Sequence, residues 1–251
     1  MSLRVVVVYP ELLGTYGDGG NGRVLVHRAR WRGIDAELLE APADRRLPAG
    51  DLYCLGGGED GPQLQAAESL RDDGTLAAAA AAGTPVLAVC AGYQIVGRSF
   101  PAADGRPLEG VGLLDVTTVK APAPRAVGEI LAEPLAQALA GLPTLTGFEN
   151  HGGHTRLGPG VDPLARVVAG VGNGDGTEGA VAGRVVGTYL HGPVLARNPA
   201  LADVLLGWAS GAALAPLDDT EEEALREERL AAARRGRRAA AFRRRVEAWR
   251  R

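Results

Sequence analysis

Pro85-Val-Leu-Ala-Val-Cys90-Ala-Gly-Tyr-Gln94-Ile-Val-Gly97 is an apolar, strand-like run that leads straight into a thiol and then into a helix-like segment. A strand–nucleophile–helix elbow of this kind lifts a sulfur to the C-terminal edge of a sheet, where ligands bind in open α/β folds. Helix-start N–H groups beside the sulfur favour the thiolate, and the small residues Ala91 and Gly92 let the backbone crowd the turn. Cys54 offers the contrast: in Asp51-Leu-Tyr-Cys-Leu55 the thiol is followed by another apolar residue, the pattern of a buried, inert cysteine. By position alone Cys90 also fits a small core residue, so its chemistry has to be argued from the residues around it.

Outward from this elbow, apolar runs bounded by glycine or proline alternate with helical patterns, as repeated βα units around a mostly parallel, buried sheet require. Arg4–Tyr9, Ala36–Leu39, Asp51–Leu55 and Pro85–Val89 read as strands, with helices expected over Asn21–Arg32 and Gln63–Ala82. Val111–Lys120 alternates as a half-exposed strand does, and Val185–Leu190 is a further apolar run that stops at His191-Gly-Pro. Asn198–Ala209 reads as a helix with Asn198 as N-cap and Pro199 in the first turn.

The 251 residues can bury one sizeable core, and 46% hydrophobic with 23% charged residues is an ordinary globular balance. Without an apolar run of about 18 residues or a signal-peptide pattern, the expected location is cytoplasmic. Two cysteines are too few for a disulfide framework. His151 and His154 stand at i, i+3 on a glycine-rich stretch with only Glu149 nearby, so no metal site is expected. The net charge of −3 is uneven: residues 226–251 hold eleven arginines and three glutamates, a local +8, which leaves −11 for the rest. An acidic body argues against nucleic acid as a partner of the body. In the tail Ala239, Phe242, Val246 and Trp249 recur at helical spacing among arginines, which suits a helix docked on the body or a neighbouring subunit better than one on an anionic membrane or RNA.

Two further elements turn Cys90 into a candidate nucleophile. Gly56-Gly57-Gly58 follows the preceding strand and frees backbone N–H groups to face a developing oxyanion, with the Ala91 N–H as a second donor; each such donor contributes on the order of 3 kcal/mol elsewhere. His191 ends its own strand, and parallel strand ends gather on one edge, so it can supply the base. His27 sits inside a helix pattern and is expected on the surface or in packing.

Together, Gly56-Gly57-Gly58, Cys90-Ala-Gly-Tyr-Gln94 and Tyr189-Leu-His191-Gly-Pro193 resemble, in that order, the class I glutamine amidotransferases. Tyr16-Gly-Asp18-Gly-Gly-Asn21 and Gly147-Phe-Glu-Asn150-His151-Gly-Gly153 look closer still to the glutaminase subunits of bacterial lipid II isoglutaminyl synthases, a branch near the cobyric acid synthase amidotransferases. The likeness spans about residues 4–208, so residues 1–210 are expected to form a glutaminase domain and 211–251 an Arg-rich helical extension. It implies a flavodoxin-like, three-layer α/β/α fold, a γ-glutamyl thioester on Cys90, deprotonation by His191, and oxyanion donors at Gly57, Gly58 and Ala91. It also puts Gln94 and Arg125 in the glutamine pocket, the guanidinium pairing with the substrate α-carboxylate, and Asn150 and His151 along its wall through backbone groups; His154 is left as a loop or surface residue.

Where many class I enzymes carry a glutamate two residues after the histidine, this chain has Pro193. The orienting carboxylate must then come from elsewhere, and Asp18 is the candidate, against the alternative that it caps the first helix. The chain carries no G-x-x-x-x-G-K-[ST] loop. The resemblance implies instead that L-glutamine is this chain's own substrate and that a MurT-like, ATP-dependent Mur-ligase subunit uses ATP and Mg to amidate D-glutamate of lipid II, which would bring the pair to the membrane only indirectly. A corrinoid acceptor is the neighbouring possibility.

Two rival readings remain. Gly17-Asp-Gly19-Gly-Asn-Gly22 fits the dinucleotide pattern G-x-G-x-x-G with Glu40 downstream, but Pro10–Tyr16 separates it from its strand and Asp18 would repel a pyrophosphate. A fold retained as a binding module without turnover is opposed by the joint presence of Cys90, His191, Gln94 and the glycine loop.

Overall fold

Four consecutive valines, Val5 to Val8, are all buried, which only a strand covered on both faces allows. They lie in a sheet whose elements the computed structural model describes over residues 2–233. The chain runs through β1 (Leu3–Val8), α1 (Gly20–Trp31), β2 (Ala36–Ala41), β3 (Leu52–Leu55), α2 (Asp60–Asp73), α3 (Thr75–Ala81), β4 (Val86–Val89) and α4 (Ala91–Ile95). It continues through β5 (Ser99–Pro101), β6 (Pro107–Glu109), β7 (Val116–Lys120), β8 (Ala126–Pro134), β9 (Leu145–His151), β10 (Gly153–Leu157), β11 (Ala165–Ala169) and β12 (Thr177–Glu178). β13 (Ala180–Ala182), β14 (Val185–Thr188), α5 (Val194–Arg197) and α6 (Pro199–Ser210) complete the named elements.

The central sheet has the order β13-β14-β4-β3-β1-β2, parallel throughout except for β13 at its edge. The chain steps one way from β1 through α1 to β2, and the other way from β3 through α2 and α3 to β4. Right-handed crossovers therefore put α1 on one face and α2 with α3 on the other. α5 and α6 pack beside α1, and α4 packs beside α2, which completes an α/β fold with helices on both sides.

The expected helix over Gln63–Ala82 is two helices. Gly74 breaks it at φ +70°, a left-handed C-cap that a glycine reaches without steric cost, and its N–H donates to the Leu70 carbonyl. Two four-stranded sheets, β10-β7-β5-β6 and β12-β11-β8-β9, lie outside the parallel core. Of the strand expected over Val111–Lys120 only β7 forms, because Leu114 and Val111 turn their N–H groups back onto residues at the end of α4. Asn198 is the N-cap residue of α6, as expected, but its side chain makes no capping hydrogen bond. Its side chain accepts from the Thr146 N–H at 2.9 Å and donates to the Thr146 and Val194 carbonyls at 2.8 Å, tying α5 and α6 to β9.

Residues 220–233 are helical, and Leu230 and Ala233 pack on Leu131 of β8. The stripe of Ala239, Phe242, Val246 and Trp249 lies outside the described residues. Among the described residues no helix is long and apolar enough to cross a membrane.

Candidate active site

Parallel register brings four strand ends to one edge: Val8 pairs with Leu55, Leu55 with Ala88, and Val89 with Thr188. Cys90 comes directly after β4 at φ 52°, ψ −103°, a backbone conformation that a side-chain-bearing residue adopts only where its surroundings enforce it. The surroundings do so here. The Cys90 N–H donates to Thr188 O at 2.8 Å and the Gly92 N–H to Gly56 O at 3.0 Å, while a Cβ at Gly92 would stand 2.7 Å from Leu55 Cβ. Cys54, fully buried on β3, has its thiol pushed up to about 12 by that burial and stays protonated, as its strand position implies.

His191 lies three residues beyond β14, and its backbone pairs with Phe148 of β9, N–H to O at 2.8 and 3.0 Å. Its Nδ1 meets Asp18 Oδ2 at 2.8 Å, both side chains buried. Asp18, from the loop after β1, thus stands where an orienting carboxylate would stand. α1 starts at Gly20 without a side-chain cap, so the capping role does not fall to Asp18. Burial is the largest single influence on the imidazole and disfavours its charge, but Asp18 and the neighbouring Cys90 sulfur outweigh it and carry the pKa from 6.5 up to about 10. The direction favours the imidazolium, and among the described residues His191 Nε2 has no hydrogen-bond partner.

The glycine loop does part of what was expected. The Gly57 N–H donates to Asp18 Oδ2 at 2.9 Å, so it is spent on the carboxylate and is not open to an oxyanion. Gly57 is needed for room: a Cβ there would lie 2.7 Å from His191 Cε1. Gly58 and Ala91 line the open cleft, and the Ala91 N–H is an unpaired donor at the start of α4. These two remain as the candidate oxyanion donors.

The cleft has a volume of about 170 Å³, with Cys90 and Ala91 at one end and Asp60, Lys120 and Arg125 among its walls. Gln94 reaches it from α4, its Oε1 held by Gln63 Nε2 at 2.9 Å and its Nε2 donating to the Tyr189 hydroxyl at 3.2 Å. His151 borders the cleft with its ring stacked on Tyr189 at 3.8 Å and its nitrogens facing Gly153 O and Glu149. Asn150 meets the cleft through its backbone, its carbonyl 3.9 Å from Cys90 Sγ, while its side chain is taken up by Arg125 and the Tyr16 hydroxyl.

Gln63, Tyr16 and Tyr189 were not foreseen as site residues. Tyr189 had a signal, since it stands two residues before His191; Gln63 had none, because its approach depends on α2 packing against α4. His154 is on β10 rather than in a loop, and His27 is exposed on α1 beside Trp31. Of the glycines that fit a dinucleotide fingerprint, Gly22 serves packing, since a Cβ there would stand 2.6 Å from Val7 Cγ2 and 2.8 Å from Leu38 Cδ1, while Gly17 takes a turn at φ +76°.

A strand-end cysteine, a carboxylate-anchored histidine on a neighbouring parallel strand and a small polar cleft define a Cys-His amidotransferase site on an α/β fold. Residues 4–199 match the CobB/CobQ-like glutamine amidotransferase domain, and the chain belongs to that family, a glutamine-hydrolysing enzyme. It is 36% identical over 201 residues to the lipid II isoglutaminyl synthase (glutamine-hydrolyzing) subunit GatD of Staphylococcus aureus, covering 78% of this chain and 79% of that protein. The subunit of that name from Streptococcus pneumoniae is 32% identical over 217 residues, covering 80% and 77%. A cobyric acid synthase of Pelotomaculum thermopropionicum is 45% identical over 142 residues, 52% of this chain but 26% of that protein. Among solved structures, a glutamine amidotransferase from Thermotoga maritima shares the fold at TM-score 0.54 and 18% identity, covering 95% of this chain and 93% of the other.

Proposed function

We propose that this chain is the glutaminase subunit of a lipid II isoglutaminyl synthase, hydrolysing L-glutamine and passing ammonia to an ATP-dependent, Mur-ligase-like partner of the MurT type. The observation that carries the chemistry is the Asp18–His191 contact at 2.8 Å beside Cys90. The two GatD relatives, alike over nearly four fifths of each chain, support the acceptor and the partner.

Cys90, as thiolate, attacks the side-chain amide carbon of glutamine, whose α-carboxylate sits on Arg125. The Gly58 and Ala91 N–H groups take the oxyanion. His191, already protonated at neutral pH, gives its Nε2 proton to the departing nitrogen, which leaves as ammonia, and the acyl group stays on sulfur as a thioester. The neutral imidazole then removes a proton from water as that water attacks the thioester, and glutamate leaves with the thiolate–imidazolium pair restored. Asp18 holds the ring through Nδ1 in both halves, so that Nε2 faces the reaction.

The synthetase subunit, with its ATP and Mg, activates the D-glutamate α-carboxyl of the lipid II stem peptide, and the ammonia converts it to D-isoglutamine. The pair works in the cytoplasm and meets the membrane through lipid II. Wild-type chain with such a subunit is expected to release ammonia from glutamine and to give ATP-dependent, mass-detectable amidation of lipid II, and Cys90→Ala to do neither. Equal ammonia release by wild type and Cys90→Ala would overturn the mechanism. An active pair that amidates a corrinoid would move the chain to the cobyric acid branch.

A further inference from the structure

Tyr16 lies directly over the catalytic histidine and takes no part in the chemistry above. Its ring centroid is 4.9 Å from that of His191, tilted by 59°, yet the side chain is 44% exposed. Its φ is +63°, unusual for an aromatic residue and a conformation found where neighbours impose it. Two contacts impose it here: the preceding residue bridges to the glycine loop, with the Thr15 N–H donating to Gly57 O at 3.1 Å, and the Tyr16 hydroxyl accepts a hydrogen bond from Asn150 Nδ2.

From Asn150 the connection continues. Asn150 Oδ1 takes the Arg125 Nε–H and its carbonyl takes Nη2 at 3.0 Å. These two contacts occupy one edge of the guanidinium and leave the Nη1 side free to pair with a carboxylate in the cleft that Arg125 lines. Arg125 is an exposed, long side chain, so only such a tether gives it one orientation; the tether in turn depends on the amide of Asn150 not rotating, and among the described residues the other group that holds that amide is the Tyr16 hydroxyl.

We propose that Tyr16 is a positioning residue for substrate recognition: its hydroxyl fixes the Asn150 side-chain amide, which presents Arg125 to the α-carboxylate of glutamine, while its ring covers His191. The inference rests on the reading of Arg125 as the carboxylate anchor and adds the residue on which that anchor's geometry depends.

The test is equilibrium binding of L-glutamine to Cys90→Ala protein, which cannot turn the ligand over. Tyr16→Phe in that background keeps the ring over His191 and removes only the hydroxyl. It is expected to weaken glutamine binding by about 3- to 10-fold, the worth of one hydrogen bond, with an unchanged unfolding midpoint. Asn150→Ala is expected to weaken binding at least as much, and adding Tyr16→Phe to it to change nothing further, because the hydroxyl acts through Asn150. Arg125→Lys tests the underlying reading. If Arg125→Lys weakens binding and Tyr16→Phe does not, or if the Tyr16 and Asn150 effects add, the role of Tyr16 is refuted while the anchor stands. If Arg125→Lys leaves binding unchanged, the anchor itself is refuted, and Tyr16 with it.

Discussion

Asp18 makes two contacts with one oxygen, the imidazole Nδ1 at 2.8 Å and the Gly57 N–H at 2.9 Å. Asp18→Asn keeps the volume, and its amide oxygen in the Oδ2 place could still accept from both donors, but it gives up the charge that holds the imidazolium. Glutaminase kcat is expected to fall by about 100-fold or more, as happens when the carboxylate of a triad is neutralised; a loss of less than about threefold would mean that Asp18 does not orient the base. The same contact sets a pH dependence. His191 has a folded-state pKa of about 10 against 6.5 unfolded, so the stability it contributes is full below about 6.5 and is lost as pH rises through about 10. Urea midpoints of wild type should decline across that window, and those of Asp18→Asn should decline less. Gly57→Ala puts a methyl 2.7 Å from His191 Cε1 with nowhere for the ring to go. Activity should disappear while far-ultraviolet circular dichroism stays native.

The strand that delivers His191 is held from behind by an acid. Glu178, on β12, is fully buried, accepts from the Thr188 hydroxyl at 2.5 Å and the Tyr189 N–H at 2.8 Å, and has an Oε2 with no partner. Burial dominates and raises its pKa from 4.5 to about 7. A raised carboxyl pKa means the folded chain binds the proton more tightly, so this group costs stability progressively as pH climbs from about 4.5 to about 7. Glu178→Gln keeps the Oε1 acceptor and removes the charge. It is expected to leave the melting temperature at pH 4.5 nearly unchanged and to raise stability at pH 8 by on the order of 2 kcal/mol; a decrease at pH 8 would show that the ionised carboxylate is needed to hold β14. The elements most visible in the sequence were those whose pattern is continuous: β1, β3 and β4 are apolar on both faces and need no partner to be recognised. The two outer sheets were not, because β5, β6 and β12 are two or three residues long and become strands only through pairing across the chain. Gly74 was a missed signal: Asp72-Asp73-Gly74 is ordinary turn chemistry inside what looked like one helix.

At the scale of the molecule, buried arginines fasten the C-terminal segment: Arg28 and Arg32 from α1, and Arg226 of the segment itself, which donates to the Thr144 carbonyl. Arg28 on α1 is 1% exposed, with Nε and Nη2 bonded to Asp203 of α6 at 2.7 Å and Nη1 to Asp219 at 2.6 Å, while Arg32 adds a bond to Asp203 at 2.7 Å. Removing one partner of a buried ion pair leaves an uncompensated charge. Asp219→Ala and Arg28→Met together leave only Asp203, which Arg32 still pairs, and should therefore cost less than Arg28→Met alone, for which a loss of about 3–5 kcal/mol is expected. Limited proteolysis should then cut the stretch between α6 and residue 220 in Arg28→Met and spare it in wild type. Equal protection in both would show that Leu230 and Ala233 against Leu131 suffice to hold the segment.

The amino-acid sequence by itself determined the parallel core and the placing of Cys90, the glycine loop and His191 at strand ends, because hydrophobic periodicity and breaker residues act locally and parallel strands share one C-terminal edge. It also distinguished Cys90 from Cys54, since the residue after each thiol decides whether the chain turns there: Ala91-Gly92 allows a tight turn, and Leu55 extends the strand. Only the tertiary structure decided that Asp18 reaches His191 Nδ1, that the Gly57 N–H is consumed by it, and that the Asn150 side chain faces Arg125 and Tyr16. Each of these depends on side chains distant in sequence coming within hydrogen-bond reach, and such meetings are set by how β9 and the loop after β1 pack on the sheet, a matter on which local pattern carries no information.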